Sequence, residues 1–452
     1  MKRKIIFLIT IILFSLPFIT NPPEGLDSNG YKSLVIFLVS ILWWSTKFVP
    51  LMITSILSII SFPLLGIQSS AEVYSKFGNS AVFFVLGSFI LASAMIRSGL
   101  SKRIALKFLV IFGKTPLSLV LSFQYLAIIM SFWTSGHAVA AMLMPIVLEI
   151  GNVLYEQENG EIYLKFLTLS SMWGSIIGSG TTLLGGARGP LAIAMLKKIT
   201  GINISFTQWI ISTLPIVISV STIASIIIIK NTPKNIDISK GINLLKNKNL
   251  KLSKLSQREL YILTILIITM IMWISFGTKM GIANIALLSV IILFIFRLIS
   301  WNEVEKDVNW GIILMYGGAI AMGSTLAETG VSTWIMNLIP ISNSLLFLVL
   351  IIIITVLFTE FMSNTAVVAF LLPIVLSTGL SLNILPQILV FSVVLPAGFA
   401  FMLPMSTPAV AIMLSTNYID TKDTIKYGII LNITGIIATI LSILIYWPIL
   451  YK

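Results

Sequence analysis

The chain has 452 residues, 57% of them hydrophobic and only 10% charged, with a mean hydropathy of +1.04. Its longest polar stretch, about residues 230–258, is too short to hold a core of its own, which excludes a soluble domain. The absence of cysteine excludes a disulfide framework, a thiol nucleophile and a cysteine metal site, and the net charge of +13 is read as the basic loops of a membrane protein rather than a nucleic-acid surface.

Apolar runs of about 17–25 residues, enough to cross a bilayer, recur along the chain. The first, MKRKIIFLITIILFSLPFI, resembles a signal peptide, but no small-residue cleavage site follows and Asn21-Pro22-Pro23 reads as a loop. An uncleaved first helix is expected. Spans are predicted near 5–20, 31–49, 51–67, 80–97, 166–196, 209–229, 259–276, 280–299, 309–327, 386–417 and 425–447. Two further segments, 115–150 and 341–378, are predicted to be re-entrant hairpins. The expected class is an all-α polytopic membrane protein of about 11 transmembrane helices plus two hairpins. With the N-terminus inside, 22 of the 29 Lys and Arg residues fall inside and six outside, Arg188 being left within a span. That asymmetry predicts N-in, C-out.

Three stretches recur in order. GSFILASAMIRSG (87–99) returns as GAIAMGSTLAETG (318–330). SFWTSGHAVAAMLMPIV (131–147) returns as TEFMSNTAVVAFLLPIV (359–375), and GPLAIAML (189–196) as TPAVAIML (407–414). In the predicted topology the two copies run oppositely, so an inverted repeat is expected, with its site at the repeat interface. The chain then divides into N-terminal scaffold helices (1–79), a first repeat (80–229), a basic cytoplasmic loop (230–258), connecting helices (259–308) and a second repeat (309–447).

The middle stretch carries Ser135-Gly136-His137 in one copy and Ser363-Asn364-Thr365 in the other, deep in apolar sequence. Hydroxyl and amide groups supply oxygen ligands for Na⁺ and hydrogen-bond donors for a carboxylate. A helix broken at that depth frees carbonyls for a cation and N–H groups for an anion. The third stretch adds a second broken helix to each half, marked by Gly178, Gly180, Gly185, Gly186, Gly189 and Pro190, and by Pro404, Ser406, Thr407 and Pro408. His137, the chain's single histidine, invites either a structural or a substrate and proton role. A guanidinium in mid-membrane costs about 2.5–3.5 kcal/mol on insertion scales, so Arg188 needs an anion, a wet cavity, or a buried carboxylate such as Glu149 or Glu360. For Glu328 and Glu360 a packing or network role is expected. No phosphate loop, serine triad or two-histidine metal signature is present, so an enzyme is not expected.

The chain from about residue 35 resembles the divalent anion:sodium symporters, the family of dicarboxylate, citrate and sulfate carriers. The marks are WWSTKFVPLMITSILSIISFPLLGI (43–67), FFVLGSFILA (83–92), VNWGIILMYGGAIAMGSTLAETG (308–330), TEFMSNTAVVAFLLPI (359–374) and FAFMLPMSTPAVAI (399–412). The resemblance implies a homodimer in the cytoplasmic membrane, each protomer with a scaffold and an elevator-like transport domain, binding a small dianion between two hairpin tips flanked by Na⁺. It places one Na⁺ at Thr359, Met362, Asn364 and Ser406, and substrate at Ser363, Asn364, Thr365, Thr407 and Pro408. In the first half it implies a second Na⁺ at Ser131, Ser135 and Gly136, while Ser135, Gly136, His137 and Arg188 are the candidate substrate contacts read from the residues themselves. There the sequence departs from the family pattern: Gly136 stands for Asn, His137 for Thr, and Arg188-Gly189-Pro190-Leu191 for Gly-Thr/Ser-Pro-Pro. In the second half Ala409 and Val410 replace Pro-Asn. Two readings follow: Na⁺-coupled uptake of a C4-dicarboxylate or citrate, or an exchanger, sodium-independent or proton-linked, in which Arg188 and His137 replace one Na⁺. A carrier of another oxyanion such as sulfate is the further alternative.

Overall fold

The computed structural model describes residues 2–252, 254–338 and 343–451, and it is helical throughout, with no strand among the described residues. The N-terminal part comprises α1 (Lys2–Ile19), α2 (Ser28–Thr46), α3 (Leu51–Leu64) and the short α4 (Ser70–Ser75). Asp27 starts α2 by accepting the Gly30 N–H at 2.6 Å. Then follow α5 (Ser80–Arg97), α6 (Leu100–Phe112), α7 (Pro116–Met130), α8 (Gly136–Leu154), α9 (Gly160–Gly178), α10 (Arg188–Thr200) and α11 (Phe206–Asn231). Next come α12 (Ser239–Leu250), α13 (Gln257–Met280), α14 (Ile282–Ile295) and α15 (Trp301–Asp307). The C-terminal part holds α16 (Trp310–Glu328), α17 (Val331–Asn337), α18 (Ser344–Phe361), α19 (Asn364–Ser381), α20 (Pro386–Val394), α21 (Pro408–Leu414) and α22 (Thr421–Leu441). Reciprocal caps fix several starts: Thr115 with Ser118, Ser205 with Gln208, Ser256 with Glu259, Ser300 with Glu303 and Asp420 with Asp423.

Among the described residues eight helices are long and apolar enough to cross a membrane: α5, α8, α11, α13, α16, α18, α19 and α22 with its continuation to residue 450. Five match expected spans and α8, α18 and α19 are hairpin arms. The other expected spans are built from shorter, charged or broken helices. The stretch 166–196 is not continuous but breaks at residues 179–187 between α9 and α10, and 386–417 breaks between α20 and α21. Both breaks sit where glycine and proline gather. The hairpins turn at residues 131–135 and 362–363, at the two polar clusters. The expected start of the second, residues 341–342, lies outside the described residues, as does Lys452.

The polar stretch 230–258 differs from the plain loop expected. It contains α12, whose buried Gly241 and Leu245 face α6 and α8, with Lys248 paired to Glu149. The unforeseen α6 is amphipathic, its Leu100, Leu106 and Leu109 buried and its Arg103 paired bidentately with Glu259 of α13 at 2.7 and 3.1 Å. The two halves interlock: α10 packs against α19, and α21 against α8. Each hairpin's second arm is thus covered by the other half's broken helix.

Candidate functional site

Both hairpin turns and both helix breaks face one cavity of about 380 Å³. All nine residues expected to meet substrate line it: Ser135, Gly136, His137, Arg188, Ser363, Asn364, Thr365, Thr407 and Pro408. Ser406 also lines it, whereas Ser131, Thr359 and Met362 lie buried behind its wall. Among the described residues no aspartate or glutamate does, so the lining offers hydrogen-bond donors and positive charge and presents an anion with no carboxylate. A second cavity, about 330 Å³, shares Phe89, Ser135, His137 and Asn309 with the first and continues to Arg97 and Asp307. There Asp307 accepts from Arg97 Nε at 2.6 Å and Nη2 at 2.7 Å, and from Ser93 Oγ at 2.5 Å.

The first-half break is held by donors aimed at its carbonyls. Trp209 Nε1 donates to Gly180 O at 3.2 Å, Thr213 Oγ1 to Thr181 O at 3.2 Å, and the Gly136 N–H to Gly185 O at 3.2 Å. Thr182 Oγ1 returns the tie to the hairpin turn, donating to Phe132 O at 2.7 Å. Gly136 has no room for a side chain: a Cβ there would stand 2.4 Å from the Ser175 carbonyl oxygen. Any larger residue in place of Gly136 would therefore meet this backbone. Ser135 Oγ lies 3.1 Å from His137 Nε2, and Ser131 Oγ is spent on the Ala127 carbonyl at 2.8 Å.

Arg188 opens α10, where the helix dipole is positive and disfavours a cation. It is 7% exposed, and no carboxylate lies within ion-pair distance of it among the described residues. Neither carboxylate that could have paired with it does: Glu149 faces Lys248 and Glu360 is taken up elsewhere. Instead the guanidinium crosses to the other half, its Nε donating to Val394 O at 3.2 Å and its Nη atoms lying 3.4 and 3.5 Å from Ser179 Oγ. It lies over Gly398, where a Cβ would come within 2.3 Å of Nη2.

The second-half break is held the opposite way. Glu360, 2% exposed, accepts the N–H groups of Phe401, Met402 and Leu403 at 3.0–3.3 Å and the Asn432 amide at 2.8 Å. Thr424 Oγ1 holds the Met402 carbonyl at 2.6 Å. Beside this clamp, Thr359 Oγ1 lies 2.9 Å from Asn364 Oδ1 and 2.7 Å from Ala397 O. Two acceptors thus compete for one hydroxyl proton, an arrangement of hard oxygens that suits a small cation. Ala397 was not among the residues expected here. Glu328 has the network role expected of it, accepting from Gln68 and facing Lys76 at 3.6 Å.

A family model described as the sodium:sulfate symporter transmembrane region matches residues 1–452. The sodium-dependent dicarboxylate transporter SdcS of Staphylococcus saprophyticus is 29% identical over 478 residues, covering 98% of this chain and 90% of that protein. SdcS of Staphylococcus aureus strain USA300 is 28% identical over 483 residues with the same coverage. Among solved structures, the YdaH transporter of Alcanivorax borkumensis, described as having an unusual topology, superposes with a TM-score of 0.56 at 11% identity over 99% of this chain and 98% of that one, a likeness of fold alone. The chain is therefore a multi-pass membrane transporter of the sodium:sulfate symporter family, the divalent anion:sodium symporters whose motifs it carries.

Proposed function

We propose that this protein is a secondary transporter that moves a small divalent organic anion, a C4-dicarboxylate such as succinate or else citrate, together with Na⁺. The observation that carries the reading is the acid-free cavity of about 380 Å³ into which both hairpin turns, both helix breaks and Arg188 converge. Its size lies in the range of small-molecule sites. The dianion is held by N–H and hydroxyl donors of Ser135, Ser363, Asn364, Thr365 and Thr407, with Arg188 as counter-charge. Na⁺ is taken by the oxygens of Thr359, Asn364 and Ala397, with Met362 and Ser406 closing the set. The names of the Staphylococcus relatives support both the dicarboxylate and the sodium.

The carrier is a homodimer in the cytoplasmic membrane, N-terminus inside and C-terminus outside, with its two repeats inverted. Residues 1–79 and 259–308 form or join the scaffold, and the interlocked hairpins and broken helices of 80–229 and 309–447 move as the transport body. The charge asymmetry supports the orientation, and the passage from the cavity toward Arg97 and Asp307 then leads inward.

A second reading rests on one observation, the buried Arg188 with no carboxylate partner. In it Arg188, with His137 beside the cavity, takes the place of the first-half Na⁺, and the protein exchanges anions or couples to fewer ions. Uptake of [¹⁴C]succinate by purified protein in liposomes separates the two. Accumulation driven by a Na⁺ gradient alone supports symport through the second-half site. Uptake only with internal succinate supports exchange. No uptake under either condition overturns the dicarboxylate assignment and moves the test to sulfate and citrate.

A further inference from the structure

A groove of about 760 Å³ lies between the first turn of α1 and the corner joining α2 to α3. It is lined by Arg3, Thr46, Lys47 and Phe48 together with apolar residues, and by no acidic residue. Neither Arg3 nor Lys47 makes an ion pair among the described residues. Arg3 instead sits 5.6 Å from the centre of the Phe48 ring, which itself packs on Trp43 at 5.2 Å. Both cations are exposed, so a negatively charged group can reach them.

The surroundings say what that group belongs to. Immediately beyond Arg3 and Lys4, α1 becomes apolar and leaves Ile5, Phe7 and Leu8 49–57% exposed. The groove therefore lies where a helix passes from charge to hydrocarbon, with aromatic rings alongside, the depth of phospholipid headgroups. An acyl chain would continue along α1 as the headgroup entered the groove.

The groove also touches the transport cavity, with Leu51 forming part of both walls. Lys47, left-handed at φ 51°, donates to the Met405 carbonyl at 3.3 Å, one residue before Ser406 of the candidate site. A phosphate that draws Lys47 away releases that carbonyl and so changes the second-half break.

We propose that this groove binds the phosphate headgroup of an anionic phospholipid and that its occupancy adjusts transport through Lys47. The binding stands independently of the transported anion; the effect on uptake rests on the function proposed above, so binding and transport are read separately. The full-length protein is extracted from phosphatidylcholine vesicles with or without phosphatidylglycerol, and retained lipid is measured by native mass spectrometry. Arg3→Gln with Lys47→Gln is compared with the control Lys240→Gln with Lys246→Gln, which removes equal charge from exposed positions around α12. Retention is expected to fall about five-fold per headgroup cation removed in the first variant and to hold in the control. In the same vesicles, phosphatidylglycerol is expected to change the uptake rate of the parent and the control but not of the Arg3/Lys47 variant. Equal retention by the two variants would overturn the site in favour of basic residues that only set topology. An equal effect of free glycerol phosphate in pure phosphatidylcholine would overturn the lipid as its source.

Discussion

The two halves of this transporter build the same scaffold and give it opposite charge. Each has a hairpin, a broken helix and a turn in the shared cavity. In the first half, donors from Trp209, Thr213 and the Gly136 N–H occupy the carbonyls of the break, and Arg188 adds a buried positive charge. In the second, the Glu360 carboxylate occupies the N–H groups of the break, and three oxygens gather beside it. A repeat therefore does not oblige equal ligands. By choosing which main-chain groups are satisfied internally, the fold gives the first half a buried positive charge and the second a buried carboxylate beside a cluster of oxygens.

The strongest way to break this contrast is Glu360→Ala. It strands three buried N–H groups and should cost about 3 kcal/mol, seen as a lower unfolding temperature in detergent, with Glu360→Gln milder. An unchanged melting curve would remove the clamp from the account. Arg188→Gly comes next. Losing a charge-assisted hydrogen bond of about 1.5–3 kcal/mol should raise the KM for the anion roughly 10–100-fold. If KM and Na⁺ dependence both stay put, Arg188 is not the anion's counter-charge.

Gly136→Asn restores the side chain that the family pattern has at this turn. The clash with the Ser175 carbonyl should destabilise the protein by about 1–3 kcal/mol rather than create a Na⁺ site. A stable variant with steeper Na⁺ dependence would show that the first half was only one residue from its counterpart. Thr359→Val keeps the shape and deletes one oxygen, about 1 kcal/mol, so half-saturation by Na⁺ should rise several-fold while sodium-independent anion binding holds. The smallest effect concerns the mouth of the passage. Hydrogen bonds from Arg97 hold the Asp307 carboxyl below its ordinary value of about 4. Its stabilisation is thus full above that pH and fades as pH falls through the lowered value. Because Arg97 is about one-third exposed, Asp307→Asn should cost only about 0.5 kcal/mol near neutrality and nothing in strong acid.

The cavity lining was legible because Ser135-Gly136-His137 and Ser363-Asn364-Thr365 are polar islands in hydrocarbon sequence, and the folded chain brings both to one cavity. The helix breaks were legible for a similar reason, since glycine and proline interrupt a span wherever they fall. What stayed hidden was carried by groups without a sequence signature. Glu360 has the network role expected of it, but its partners are main-chain N–H groups 41–43 residues away in sequence, and Ala397 adds an oxygen that no side chain marks. The reach of Arg188 to Val394 joins residues that only the folded chain brings together. The helix α12 escaped because its buried face consists of little more than Gly241 and Leu245 among lysines and asparagines.

The crossed packing of α10 on α19 and α21 on α8 bears on how the protein is made. When α8 leaves the ribosome, the helix that will cover it is some 260 residues from being synthesised. At roughly 5–20 residues per second the first hairpin waits for tens of seconds, its polar turn without a lid. Neither half can complete itself alone, so co-expressed halves should regain the cavity only as a pair, and quality control in the membrane has a natural checkpoint at the insertion of α21.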